Sequence, residues 1–345
     1  MIMQLMKCAV FYGKHDLRLE ERPVPQIEPD EVLVKVEVCG ICGTDVSMYD
    51  GKISYSDHTV GKIFGHEVTG TVHDRGKDVR RVEAGDRVVV APVYYCGECV
   101  HCMHGNENLC MNWVCIGEEV DGGYAEFLRV PERQVYVLPD NIDFDEGTLL
   151  ADPVPTPLHA MRSRAHIKPG DLVAIWGTGP QGYCALQLAK LSGATVVVIA
   201  RRKDKLQLAQ KLGADVTVNS QSVDVKASLM SLYPLGVDCC IECGGYPEAI
   251  SQALSCVKKG GRIVMIGLQK ALTVDIEEML WGEKELVASV SSTYREFEIG
   301  IQLAESKRIK LKPLVTHRFR LEAIDEAFEL LTRRTETVVK AVIIP

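Results

Sequence analysis

Four cysteines fall between positions 96 and 110 as Cys96-x-x-Cys99-x-x-Cys102 followed by Cys110. Thiolates at this spacing can close a tetrahedral site with zinc–sulfur distances of about 2.3 Å and no coordination position left open, which is the chemistry of a structural zinc. The alternative is a set of reactive or redox thiols. The chain carries 13 cysteines, an odd number, in 345 residues, a length that does not need disulfide staples. That usage points to a reducing, cytoplasmic setting in which thiolates serve as ligands.

A second motif, Gly177-Thr178-Gly179-Pro180-Gln181-Gly182, lies between an apolar run at Leu172–Trp176 and a helical stretch at 181–191. Glycines here permit a tight turn and close approach of a pyrophosphate to the unpaired N–H groups of a helix N-terminus. A tight turn with no ligand is the other reading. The next apolar run ends Ala200-Arg201-Arg202, where an NAD site would carry an acid for the adenosine ribose hydroxyls. Two guanidinium groups stand there instead, with a fork geometry suited to a 2′-phosphate, so NADP is favoured with NAD possible. The alternative is a solvated arginine cluster, with Asp204 reaching the ribose and either cofactor accepted.

Cys42, His66 and Asp152 are scattered ligand-type residues in turn-like surroundings. One cysteine, one histidine and one carboxylate would hold a catalytic zinc with a position left for water or a substrate oxygen. A buried cysteine or a satisfied core histidine is the plain reading of each taken singly.

These residues must be positioned by two kinds of architecture. The first third has short β-branched runs at 31–39, 67–74 and 86–90 bounded by turn residues, which predicts a largely antiparallel β domain. From about position 168, apolar strands (172–176, 195–200, 237–242, 262–266) alternate with helical stretches (181–191, 203–212), which predicts a doubly wound parallel sheet. A helix at 324–332 and a strand at 338–344 are too little for a third domain and are expected to fold back onto the first. The division expected is 1–155, 156–295 and a returning segment 296–345. The formal charge of −8, from 39 basic and 47 acidic side chains, has the wrong sign for a nucleic-acid partner. No apolar run reaches the ~18–20 residues that span a bilayer, and the first residues lack the pattern of a signal peptide.

In order and spacing, Gly40-Ile-Cys-Gly-Thr-Asp45, Gly65-His66-Glu67, the cysteine run at 96–110, the sequence DGGYAEF at 121–127 and the glycine motif at 177–182 resemble the zinc-dependent medium-chain dehydrogenases, nearest to the polyol and threonine branch. The resemblance covers essentially the whole chain. It implies an α/β protein with a GroES-like N-terminal domain holding two zincs and a Rossmann domain, assembled as a homodimer or homotetramer. It implies Cys42 and His66 as catalytic zinc ligands, Glu67 as the acid beside the metal, Asp45 as the carboxylate that orients the histidine, and Thr44 as the hydroxyl that begins proton transfer during hydride exchange with the nicotinamide. Two departures stand out: Asp152 occupies a position usually held by glutamate, and Ser47 one often held by a relay histidine. The activity implied is interconversion of a secondary alcohol (a polyol, sugar derivative or cyclitol) with its ketone. L-Threonine 3-dehydrogenation is the runner-up and a non-catalytic NADP sensor the reading from another class.

Overall fold

The structure, a computed structural model, describes residues 4–269 and 271–345. Its contacts divide the chain into two compact units. One comprises the residues up to Asp152 together with Phe297–Ser306 and Leu311–Pro345; the other comprises Pro153–Glu296 and Lys307–Lys310.

The first unit is built on a seven-stranded sheet around the strand Glu31–Gly40, whose Val32, Val34, Val36 and Val38 are buried. β-Branched side chains suit a pleated, covered surface, which is why this run commits to strand. It pairs antiparallel with Glu67–Arg75, with Phe127–Pro131 and with the C-terminal strand Lys340–Ile344, through Val342 opposite Gly40 and Ile343 opposite Cys39. The C-terminal strand also runs parallel to Val315–Arg320. The last residues of the chain therefore lie in the same sheet as those that flank Cys42 and His66.

The second unit is a six-stranded sheet, parallel throughout. Across the sheet the strands run Val216–Asn219, Thr195–Ala200, Leu172–Trp176, Val237–Glu242, Val257–Met265 and Glu285–Ala288. Numbered along the chain, that order is 3-2-1-4-5-6, the doubly wound order that reverses direction beside its first strand and binds ligands beyond the strand ends there. The fifth strand starts earlier than its apolar run suggests. Its first half, Lys258-Lys259-Gly260-Gly261, is polar, and the pairing slips between Val237 and Cys239 before the apolar half takes up a regular register. Among the described residues no helix is long and apolar enough to cross a membrane.

Candidate active site and cofactor site

Cys42 lies two residues beyond the strand Glu31–Gly40 and caps the helix Gly43–Tyr49. Its sulfur accepts from Thr44 N at 3.5 Å, while Asp45, three residues on, accepts from Cys42 N at 3.0 Å. This is a capping box with a thiol in place of the usual hydroxyl, and it fixes Cys42, Thr44 and Asp45 in one local frame. Asp45 then reaches across the unit. Its Oδ2 accepts the Tyr124 hydroxyl at 2.8 Å, and its Oδ1 lies 3.4 Å from His66 Nδ1. That contact sets the buried Nδ1 against the carboxylate and leaves Nε2 as the ring nitrogen that could ligate a metal.

Donor atoms of Cys42, His66 and Glu67 lie within 4.8 Å of one another. Cys42 Sγ is 3.9 Å from Asp152 Oδ2, at the end of the helix Phe144–Ala151, so the structure brings this carboxylate to the same spot from 110 residues away. A thiolate, an imidazole and carboxylates are donors suited to zinc, and the cluster fits that metal. Burial pushes the Cys42 thiol up, with His66 pulling the other way. For Asp45, burial acts to raise the pKa, but His66, Cys42 N and Tyr124 hold the carboxyl below its ordinary value.

Ser47 lies one turn further along the helix, and its hydroxyl donates to Gly43 O at 2.7 Å. The proton of Ser47 is thus committed to its own helix.

The four cysteines at 96–110 converge as well. Sulfur–sulfur distances are 3.5 Å for Cys110 and Cys96, 3.6 Å for Cys99 and Cys102, 3.9 Å for Cys96 and Cys102, and 4.0 Å for Cys99 and Cys110. A tetrahedral zinc with bonds of about 2.3 Å sets its sulfurs about 3.8 Å apart, so the loop fits the ion. Backbone N–H groups already point at the sulfurs: Cys96 N at Cys110, Cys99 N at Cys96 and Asn112 N at Cys110. Backbone N–H bonds, chiefly from Cys102, bring the Cys99 thiol down to about 6. Among the described residues every cysteine is free.

In the second unit the glycine motif joins the first strand to the helix Pro180–Leu191, which Gly179 caps with Pro180 in its first turn. A Cβ on Gly182 would meet Gly177 O at 2.2 Å, whereas one on Gly179 would meet nothing within 4 Å. Gly182 is therefore required for packing and Gly179 faces open space, the cradle a pyrophosphate would occupy. Ala200 closes the second strand with no acid. Arg201 stacks its guanidinium 4.4 Å from the centre of the Tyr246 ring, and Arg202 pairs with Asp204 at 3.2 Å. The two arginines are thus unequal: one lies on an aromatic face, the other on a carboxylate.

Three further residues support these clusters, of which only Tyr124 lies in a run that the sequence singles out. Lys340, from the C-terminal strand, bonds Glu67 Oε1 at 2.7 Å and Ile41 O at 2.9 Å. Burial draws the ammonium down, but Glu67 and Cys42 outweigh it and keep Lys340 charged. Tyr124, inside the DGGYAEF run, completes the support of Asp45, and Tyr246 supports Arg201.

Both units are similar to known proteins. Residues 28–140 match the family described as alcohol dehydrogenase GroES-like domain, and residues 180–306 the family described as zinc-binding dehydrogenase. A D-arabitol-phosphate dehydrogenase of Enterococcus avium is 33% identical over 94% of this chain and 93% of its own. A sorbitol dehydrogenase of Bacillus subtilis (strain 168) is 31% identical over 100% of this chain and 98% of its own. A structure described as a zinc-binding dehydrogenase from Sinorhizobium meliloti 1021, bound to NADP, superposes with a TM-score of 0.89 at 31% identity, covering 99% of this chain and 100% of that one. The fold and the metal-donor cluster define a zinc-dependent dehydrogenase with a GroES-like domain and a Rossmann domain. The chain belongs to the zinc-dependent medium-chain dehydrogenase family, in its polyol branch, and is an alcohol dehydrogenase by class.

Proposed function

We propose that the protein interconverts a polyol, or a related sugar-derived or cyclic secondary alcohol, and its ketone, using NADP in preference to NAD and two zinc ions per chain. The carrying observation is the convergence of Cys42, His66, Glu67 and Asp152 on one spot beside Thr44. Cys42, His66 and a carboxylate would hold the catalytic zinc, and Cys96, Cys99, Cys102 and Cys110 the structural one. Bound zinc would supply Lewis acidity toward the alcohol oxygen, and bound NADP a hydride acceptor.

The chain supplies the rest. Asp45 fixes the orientation of His66 and is itself held by Tyr124 and Cys42 N. Thr44 is the first proton acceptor at its hydroxyl oxygen, and it releases the proton to solvent or toward Ser47. Glycines 177, 179 and 182 with Pro180 and Gln181 would form the phosphate turn, and Arg201 and Arg202, beyond the end of the strand that Ala200 closes, would hold the 2′-phosphate. The thiolate-rich loop suits a reducing compartment such as the cytoplasm.

For assembly we propose a homodimer or homotetramer. It is supported by Ile276, Leu280 and Trp281, which are 61%, 72% and 77% exposed next to the edge strand Glu285–Ala288.

The test is a panel of alditols, cyclitols, sugars, secondary alcohols and L-threonine with each cofactor, read as cofactor reduction by zinc-loaded protein. Oxidation of a polyol with NADP supports the reading. Oxidation of L-threonine alone replaces it with the threonine dehydrogenase, and binding of NADP with no turnover on any alcohol replaces it with a sensor.

A further inference from the structure

Glu242 ends the fourth strand of the parallel sheet, Val237–Glu242, and is buried. The reaction proposed above gives it no part. A carboxylate taken out of water is costly unless its oxygens find donors, so its partners show what it is kept for. Oε1 accepts from Gly244 N at 2.7 Å and from Gly245 N at 2.8 Å. Oε2 is packed against Gly267, where a Cβ would come within 2.5 Å of it. Burial pushes the carboxyl up, and the N–H groups of the turn at 244–246 pull the other way.

That turn carries Tyr246 into the cofactor site. A Cβ on Gly244 would come within 2.7 Å of the Tyr246 ring, so the ring folds back over this glycine. Gly245 has φ +67°, a conformation that glycine adopts without strain. A Cβ on Gly177, the first residue of the glycine motif, would come within 3.0 Å of Gly244 N, so the two turns pack backbone to backbone. Placed in this way, the Tyr246 ring meets the Arg201 guanidinium, 4.4 Å from its centre. Arg201 follows Ala200, the end of the second strand, where a doubly wound sheet reads the adenosine ribose. One chain of contacts therefore runs from Glu242 through Gly244 to Tyr246 and Arg201.

A free arginine side chain loses rotamer freedom when it binds a phosphate, whereas one already stacked on an aromatic face has lost part of it beforehand. Placement of the Tyr246 ring matters in this way only for the cofactor that carries a 2′-phosphate. We propose that Glu242 is a positioning residue for the choice of NADP over NAD, which holds the turn that sets Tyr246 against Arg201. The proposal rests on the NADP preference proposed above and extends it to a residue inside the sheet.

The test is calorimetric titration of the zinc-loaded full chain with NADP and with NAD, without any alcohol, so that binding is read and turnover plays no part. Glu242→Ala is expected to narrow the ratio of the two dissociation constants by about tenfold, through weaker binding of NADP. Glu242→Gln keeps an acceptor oxygen for Gly244 N and Gly245 N and is expected to retain the ratio. Added to Tyr246→Leu, Glu242→Ala is expected to narrow the ratio no further, because the two residues act in series. Gly244→Ala, whose methyl group would displace the ring, is expected to narrow the ratio too, and it carries the test if Glu242→Ala does not fold. Equal weakening of both cofactors, additive effects of the Glu242 and Tyr246 variants, a Gln variant as impaired as the Ala variant, or an unchanged ratio in Gly244→Ala overturns the proposal while leaving the NADP reading intact. A wild type that binds NAD as tightly as NADP overturns the NADP reading, and the proposal with it.

Discussion

Lys340 Nζ lies 2.7 Å from Glu67 Oε1 although 273 positions separate the two residues, and their side chains are 2% and 0% exposed. The pair ties the C-terminal strand to the first residue of the strand that follows His66. An ion pair this deep gains little net stability over an apolar pair of the same shape, but removing one partner strands the other charge. Its location, directly behind a metal-donor residue, gives the C-terminal segment a part in the site.

Lys340→Met is therefore expected to cost about 3–5 kcal/mol in chemical denaturation, while Lys340→Met combined with Glu67→Gln recovers much of that loss. A double variant no more stable than the single one would show that the lysine acts through packing alone.

The two metal clusters differ in closure. Four thiolates leave no open position at 96–110, whereas Cys42 and His66 share their spot with carboxylates. A chelator at low concentration should abolish activity while the protein stays folded by circular dichroism, and one zinc per chain should remain. Simultaneous loss of both ions would contradict the assignment of separate structural and catalytic sites.

In the cofactor site, Arg202 already faces Asp204, and Arg201 is stacked on Tyr246 with its edge N–H groups available. Arg201→Ala should weaken NADP by roughly 10- to 100-fold, the range of one or two charge-assisted bonds, and leave NAD nearly unchanged. Arg202→Ala should do less, because Asp204 offsets its charge. Ala200→Asp with Arg201→Ser should shift the preference to NAD. A higher kcat/KM for NAD in the unaltered enzyme would refute the arginine argument.

What the sequence disclosed and what it withheld divide by range. Cys42, Thr44 and Asp45 sit in one helix cap, the glycine motif in one turn and the four thiolates in one loop, so each is written in consecutive positions. The doubly wound class was likewise visible in the alternation of apolar strands and helical stretches, whereas the strand order, with the short strands Val216–Asn219 and Glu285–Ala288 at its edges, comes from pairing. Lys340, Tyr124 and Tyr246 reach their partners through sheet pairing and loop closure, and a lone lysine before Ala-Val-Ile-Ile carries no sign of a buried acid opposite. Asp152 was visible as a ligand type, but its 3.9 Å approach to Cys42 depends on where a distant helix ends. The polar first half of Val257–Met265 hid the strand's start, since pairing rather than side-chain character holds it.

For proton transfer, Ser47 donates back to Gly43 O, so an onward transfer would require breaking that bond. Ser47→Ala should slow alcohol oxidation only a few-fold because water can substitute, whereas Thr44→Ala should cost about 100-fold or more. Ser47→His should add an ionisation near pH 6.5 to the pH–rate profile. Equal damage from Ser47→Ala and Thr44→Ala would make Ser47 an obligatory member of the relay.

Glu296 offers a test of stability against pH in the second unit. Burial alone would raise its carboxyl, but His159, at 3.4 Å, and Thr293 overcome it and bring the pKa down to about 2; Arg162 adds a bond at 2.8 Å. The folded pKa lies below the unfolded value of about 4.3, so the folded state favours the ionised acid. This stabilisation is complete above about pH 5 and is lost as pH falls from there through about 2. Glu296→Gln should therefore destabilise the protein by about 1–3 kcal/mol at pH 7, as measured by urea denaturation, and the difference from wild type should shrink steadily below pH 4. A penalty that is constant from pH 7 to pH 3 would mean that Glu296 acts through its shape and hydrogen bonds and not through its charge.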